Sequence, residues 1–221
     1  MGDFFPQTVF SLFGIPVRDT ITSTWVMIAL IVALAVMAHR RWPEALEMLV
    51  AFLDNTVSDI MGRPAGPFLP FLGALAIFIA VANLLGVLPS IPLPNGKMLR
   101  IASPTRDINT PLALALVVFF SVHYFGMQAK GVFGYLKDLA SPIFMLPLEI
   151  IGQLSRTLSL TLRLFGNIIS TDLVVAVMFS LVPLFVPLPM IGLSMFTGLL
   201  QAFIFTALAA VFISAGLEAS E

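Results

Sequence analysis

Cysteine is absent from the 221 residues, which excludes disulfides, thiolate metal sites and cysteine nucleophiles. Charge is scarce as well: Asp, Glu, Lys and Arg make up 10% of the chain while hydrophobic residues reach 59%, against about 25% and roughly 45–50% in soluble domains. With a mean hydropathy of +1.04, the composition is that of a polytopic membrane protein. A net charge of −1 provides no basic surface for a nucleic acid. The two histidines, His39 and His123, lie far apart and form no metal-ligand motif, so neither a metal nor a cofactor is expected. The first twenty residues hold Asp3, Asp19 and a single basic residue, Arg18. A cleaved basic leader is therefore not expected, and the first hydrophobic segment is expected to stay as a helix.

What the chain has in quantity is long uncharged runs, to be judged against the roughly 20 apolar residues a helix needs to cross a bilayer core. Residues 20–38 form the first, closed by His39-Arg40-Arg41-Trp42, a basic and aromatic flank of interfacial type, which sets the span at 20–41. The second is 68–88, approached through Pro64, Pro67 and Pro70 and left at Pro89; a loop at 89–110 leads to the third, 111–127. A helix over 143–181 would rise about 58 Å, too long to stand upright in a core about 30 Å thick. Pro183, Pro187 and Pro189 then predict a turn before a last long element at 190–217. The expected fold is all-α, a single membrane domain of about five membrane helices. The last two form a strongly tilted hairpin, with breaks at Pro147 or Gly166 left open.

Residues 43–62 differ in kind. Leu46, Leu49, Val50, Leu53, Val57, Ile60 and Met61 fall on one stripe, with Glu44, Glu47, Asp54, Asn55, Ser58 and Asp59 elsewhere. Proline at the start, glutamates in the first turn and a closing glycine bound an amphipathic helix too polar to span. Its polar face is acidic, so packing on the spans or on a partner, rather than attraction to anionic lipid, is expected to hold it. Orientation rests on Arg40 and Arg41 after the first span, which assign that side to the cytoplasm and residues 1–19 and 89–110 to the outside. With five spans the carboxyl terminus is then cytoplasmic.

The polar residues of 143–181 carry the functional signal. A guanidinium stays charged at physiological pH, so Arg163 in the midst of membrane hydrocarbon must meet a carboxylate, a carbonyl or water. Glu149 and Asp172 stand 14 residues before it and 9 after it, neither at neighbour spacing on a helix, so a carboxylate partner is expected from elsewhere, even from another chain. Glu149, Arg156, Arg163 and Asn167 fall within roughly 60° of one another, with Gly152, Ser155 and Ser159 near the same stripe. Asp172 is half a turn out of phase with Arg163 and on the order of 13 Å further along the axis. Two polar environments at different depths and directions suit two aqueous inlets that do not meet. The bland readings stand beside this one: Glu149 and Arg156 as snorkelling charges, Asn167 and the serines as helix-helix glue, Asp172 as a solvated helix end, Asn83 as a structural hydrogen-bonding residue, His123 as interfacial.

Leu162-Arg163-Leu164-Phe165-Gly166-Asn167 followed by Leu200-Gln201-Ala202-Phe203-Ile204-Phe205 resembles the two signature helices of subunit a of F-type rotary ATP synthases. Asn83-Leu84-Leu85-Gly86 and Pro104-Thr105-Arg106-Asp107-Ile108-Asn109-Thr110 resemble two further segments of that family, and the resemblance covers about residues 42–218. It implies an ion-translocating stator subunit of the membrane (F0) sector, with no catalytic chemistry of its own, in a bacterial-type inner membrane. The implied partners are a ring of c subunits, the peripheral-stalk b subunits and lipid. By motif, Arg163 would face the ring carboxylates, Gln201 would sit opposite Arg163, and Asn167 would line the ring-facing surface. Glu149 and Ser159 would line the cytoplasmic inlet; Asp172 would be the acid of the opposite one, with Asn83, Asp107 and Asn109 from the two further segments. Two departures are visible. Ser194 stands seven before Gln201, where some members place an acid or histidine that partners the Asp172 position, and Arg106 stands where many have a small residue. The amino-terminal region and Pro67-Phe68-Leu69-Pro70-Phe71 also resemble the sodium-pumping branch, so proton and sodium both stay open. The competing classes are a secondary transporter binding an anion at Arg163, for which no internal repeat of that segment is found; an intramembrane hydrolase, for which Asp107 and Asp172 stand in unlike contexts; and a non-conducting assembly scaffold.

Overall fold

Helices form over each of the apolar runs in the computed structural model, which describes residues 8–12, 15–86, 91–92, 98–99, 103–139, 146–181 and 187–218. Helix α1, Asp19–Arg41, ends on His39, Arg40 and Arg41, cations placed where the helix dipole is negative. At Trp42 the backbone leaves helical angles (φ −141°, ψ 63°) and Pro43, whose missing N–H costs nothing at a helix start, opens α2, Pro43–Met61. Gly62 closes α2 in the left-handed conformation (φ 65°) that glycine adopts without strain. The amphipathic stripe behaves differently along its length. Val57 and Met61 are buried, whereas Met48, Leu49, Val50 and Phe52 are exposed, so only the last turns of α2 pack on the bundle. The Ser214 hydroxyl, donating to Met61 O at 3.2 Å, fastens that end to the last helix.

Helix α3 is Leu69–Gly86, α4 Asn109–Leu139, α5 Leu146–Leu181 and α6 Pro187–Glu218. Among the described residues, five of the six α-helices are long and apolar enough to cross a membrane. Two helix ends and two short strand pairs depart from expectation, and the break left open in α5 is absent. α4 does not stop at Met127: lysine ends an apolar run but not a helix, so the helix continues to Gly131, whose angles (φ 73°, ψ 156°) kink it before a further segment reaches Leu139. α5 runs 36 residues unbroken through Gly166, and Pro147 sits in its first turn, where proline interrupts no hydrogen bond. By the same rule Pro187 and Pro189 begin α6 rather than turn the chain before it. Two short antiparallel ladders, β1 (Thr8–Leu12) with β2 (Ile15–Arg18) and β3 (Ile91–Pro92) with β4 (Met98–Leu99), were not expected. The expected limits at Leu88, Pro89 and Ile143, the turn residue Pro183 and residues 219–221 lie outside the described residues.

The core sits where α6 packs against α2, α3, α4 and α5. Ala202, Ala209 and Ala210 let α6 approach closely, and Phe205 and Ile213 fill the space between Leu72 and Ile79 of α3, Val118 of α4 and Leu164 of α5, all nearly inaccessible. α1 joins mainly through Met27 against Ala82 and Leu85; Trp25, Val26, Val32 and Val36 face outward, as lipid-facing residues do. Burial of α5 is one-sided. Thr157, Leu160, Thr161 and Leu164 face the core, while Leu154, Leu158 and Leu162 are exposed.

Candidate ion-path site

Arg163 lies 17 residues after the first residue of α5 and 18 before the last, so it stands at the middle of the helix. Its side chain is exposed, and among the described residues it makes no hydrogen bond and no ion pair. At 100° per residue it points about 120° away from the Thr157 side of the buried face. Ser159, one turn earlier, is exposed, and Asn167, one turn later, is half-buried, so the stripe read from the sequence forms an outward surface. Glu149 and Arg156 lie further along it. Glu149 Oε1 accepts a hydrogen bond from Gln153 Nε2 at 2.9 Å and has Arg156 at 3.9 Å, and the Arg156 guanidinium lies over the Phe212 ring, 5.4 Å from its centroid. These two charges are tied to each other and to α6, not to Arg163.

On the same side of α5, two turns beyond Arg163, Ser170, Thr171, Val174 and Val175 meet Met190, Leu193, Ser194 and Thr197 of α6 around a cleft of about 150 Å³. Four hydroxyl-bearing residues line it. Ser194 is buried and donates to Met190 O at 2.7 Å, within its own helix. Ser170 and Ser194 lie across from each other on antiparallel helices, so one heptad from each brings Arg163 and Gln201 to the same level. No hydrogen bond joins them. Gln201 is 5% exposed, and its Nε2 finds no partner among the described residues. A buried amide donor without an acceptor costs free energy in the isolated chain.

Asp172 points the other way, about 60° to the far side of the buried face. There it meets Arg106, whose Nε is 3.2 Å from Asp172 Oδ2, with side chains 20% and 33% exposed. Arg106 belongs to a single 3-10 turn, Pro104–Arg106, whose Thr105 is wholly buried. A chain of buried hydrogen bonds holds this turn. Ser103 Oγ donates to Ala82 O at 3.0 Å and shares a 2.7 Å hydrogen bond with Thr105 Oγ1, which reaches Asn83 Oδ1 at 3.2 Å. Asn83 Nδ2 in turn donates to Gly198 O of α6 at 2.9 Å. A side chain at residue 198 would put its Cβ 2.9 Å from that of Asn83, so the close approach requires glycine. Asp107 Oδ1 accepts from the backbone and side-chain amides of Asn109, at 3.2 and 2.7 Å, and so caps the start of α4.

The structure thus separates the predicted residues into an outward set (Arg163, Asn167, Ser159, Glu149), a buried α6 set (Gln201, Ser194), Asp172 paired with Arg106, and a set that holds or follows the Arg106 turn (Asn83, Asp107, Asn109). Sequence reasoning missed the Arg106–Asp172 pair, because 66 residues separate the partners. It also missed the hydroxyls of Ser170, Thr171 and Thr197. Ser170 and Thr171 stand seven and eight residues after Arg163 and Thr197 four before Gln201, helical spacings that were the available signal.

A family model described as ATP synthase A chain matches residues 20–214, from the start of α1 into the last turns of α6, both polar regions included. The chain belongs to the ATP synthase A chain family. It is 44% identical over 221 residues to ATP synthase subunit a 2 of Bradyrhizobium sp. (strain BTAi1 / ATCC BAA-1182), covering 95% of each chain. It is 38% identical to ATP synthase subunit a 2 of Acaryochloris marina over 226 residues (97% of this chain, 92% of the relative), and 36% identical to ATP synthase subunit a 3 of Pelobacter propionicus over 212 residues (90% and 88%). As an A chain it is a component of the membrane sector, without a catalytic site of its own. With five membrane-crossing helices and bacterial relatives, it is a multi-pass plasma-membrane protein.

Proposed function

We propose that this A chain is the stator through which protons or sodium ions cross the membrane, with Arg163 as the charge that a ring of c subunits must pass. The single observation that carries this reading is Arg163 itself: an exposed guanidinium at mid-helix, between Ser159 and Asn167 on the outward stripe, with no carboxylate of the described residues paired to it. A bare charge in lipid costs several kcal/mol, on the order of 3 or more, so its counter-charge comes from a partner seated on that face. A ring carboxylate facing lipid must be neutral, and it ionises where it meets a cation. Arg163 lowers the pKa of each arriving carboxylate and unloads its ion. Being always charged, it also repels cations that would otherwise leak between the inlets.

In this reading Glu149, Ser159 and Asn167 line the approach on the cytoplasmic side, and Asp172, with Asn83, Asp107 and Asn109 as further polar groups, belongs to the opposite one. Ser194 and Gln201 face α5 from α6, and the free Gln201 amide is a donor available when a ring carboxylate arrives. The exposed half of α2 is available to the peripheral-stalk b subunits. Because the two inlets open on different sides of α5, the ion travels with the ring for almost a full turn, and flow is coupled to rotation. The test is Arg163→Ala in the complete complex, reconstituted in vesicles. ATP-driven ion pumping should fall to background while the complex still assembles. Unchanged pumping overturns the reading. Arg163→Lys keeps a charge but loses the planar fork, and should be severely impaired as well.

A further inference from the structure

Asp172 and Arg106 are brought together by the fold, and the way Arg106 is anchored shows what the pairing does. The guanidinium approaches the carboxylate to 3.2 Å at a partly buried position. Its turn is not free to follow Asp172 if α5 shifts: Ser103 is bonded to α3, Thr105 to Asn83, Asn83 to α6, and the Arg106 amide itself donates to Ser103 O at 3.1 Å. The cation is therefore delivered from a platform fixed to two other helices. α6 supplies no titratable partner in its place. Ser194 lies on the cleft side of α5, its hydroxyl bonded to Met190 O, and the histidines of the chain are at 39 and 123.

We propose that Arg106 is the positioning residue of the Asp172 inlet, holding the carboxylate in one orientation and offsetting its charge so that a passing cation is drawn in but not retained. This rests on the reading of Asp172 as an inlet group. An uncompensated carboxylate at such a site binds a cation more tightly and releases it more slowly, because attraction strengthens as the local dielectric falls. A charge-assisted pair, held by geometry, keeps the inlet close to neutral. Arg106 thus acts through Asp172 and makes no contact with the ring.

The test is a double-mutant cycle in the complete, reconstituted complex, measuring ATP synthesis against the concentration of the driving ion, proton or sodium, on the Asp172 side. Arg106→Gln should lower the half-saturating concentration by about threefold or more together with the maximal rate, and Arg106→Gln should add nothing further in an Asp172→Asn background. Equal effects of Arg106→Gln in both backgrounds overturn the proposal. Where a neutral variant is silent or does not assemble, the length-exchanged pair Arg106→Lys with Asp172→Glu carries the test. Recovery of the double variant above both singles supports the proposal, and a double variant no better than the poorer single overturns it. If Arg163→Ala leaves pumping intact, the underlying reading fails; if it abolishes pumping and the cycle is additive, only the role of Arg106 fails.

Discussion

Asn83 concentrates at one residue what polar groups do inside this bundle. Its amide donates to a carbonyl on α6 and its carbonyl accepts from Thr105, so both ends of one side chain join three parts of the chain. Asn83→Leu leaves the Gly198 carbonyl and the Thr105 hydroxyl without that partner, at about 1–3 kcal/mol for each buried group left unsatisfied. The purified complex should melt several degrees lower, with the A chain dissociating first; an unchanged melting curve would show that the bridge contributes nothing. Gly198→Ala should act in the same direction by steric means, because the added methyl meets Asn83 Cβ at 2.9 Å. The two effects should be less than additive, since they act on one contact.

At the scale of elements, α4 makes the sharpest prediction. Gly131 holds φ 73° with ψ 156°, a region that residues with a Cβ scarcely enter. Gly131→Ala should cost about 1–3 kcal/mol, seen as a lower melting temperature of the complex, while Gly134→Ala, three residues on with no tight contact, should leave it nearly unchanged. The same helix shows where sequence reading succeeds and where it stops. Apolar runs located all five spans, because a helix that crosses lipid must be apolar for about 20 residues. The end of α4 and the start of α6 were less legible, since proline is harmless in a first turn and lysine is compatible with helix, so neither marks a boundary by itself. The stripe through Arg163 was legible because it is local and periodic. The platform under Arg106 was not, because its hydrogen bonds join residues up to 115 positions apart.

For the whole molecule, the absence of native cysteine makes any introduced thiol the sole target for labelling. A membrane-impermeant maleimide added to intact cells should label a Ser11→Cys chain in the amino-terminal ladder and leave a Lys130→Cys chain unlabelled; in inverted vesicles the pattern should reverse. Labels with the opposite sidedness would turn the proposed orientation over and exchange the sides assigned to the Glu149 and Asp172 inlets. The net charge of the whole chain carries no such information, since it sums to −1 over both surfaces.

One property of α5 bears on mechanics. Thirty-six residues without a hinge, at 1.5 Å each, make a rod of about 54 Å with its charged midpoint braced from behind by Leu160 and Leu164. A sideways push at that midpoint finds no soft joint to open, because sharp bends in helices need a proline, a bulge or an inserted group, and proline stands only in its first turn. In the mechanism proposed above, the recoil of a turning rotor would be carried into the helices behind the rod, and the stator would yield as a unit or not at all.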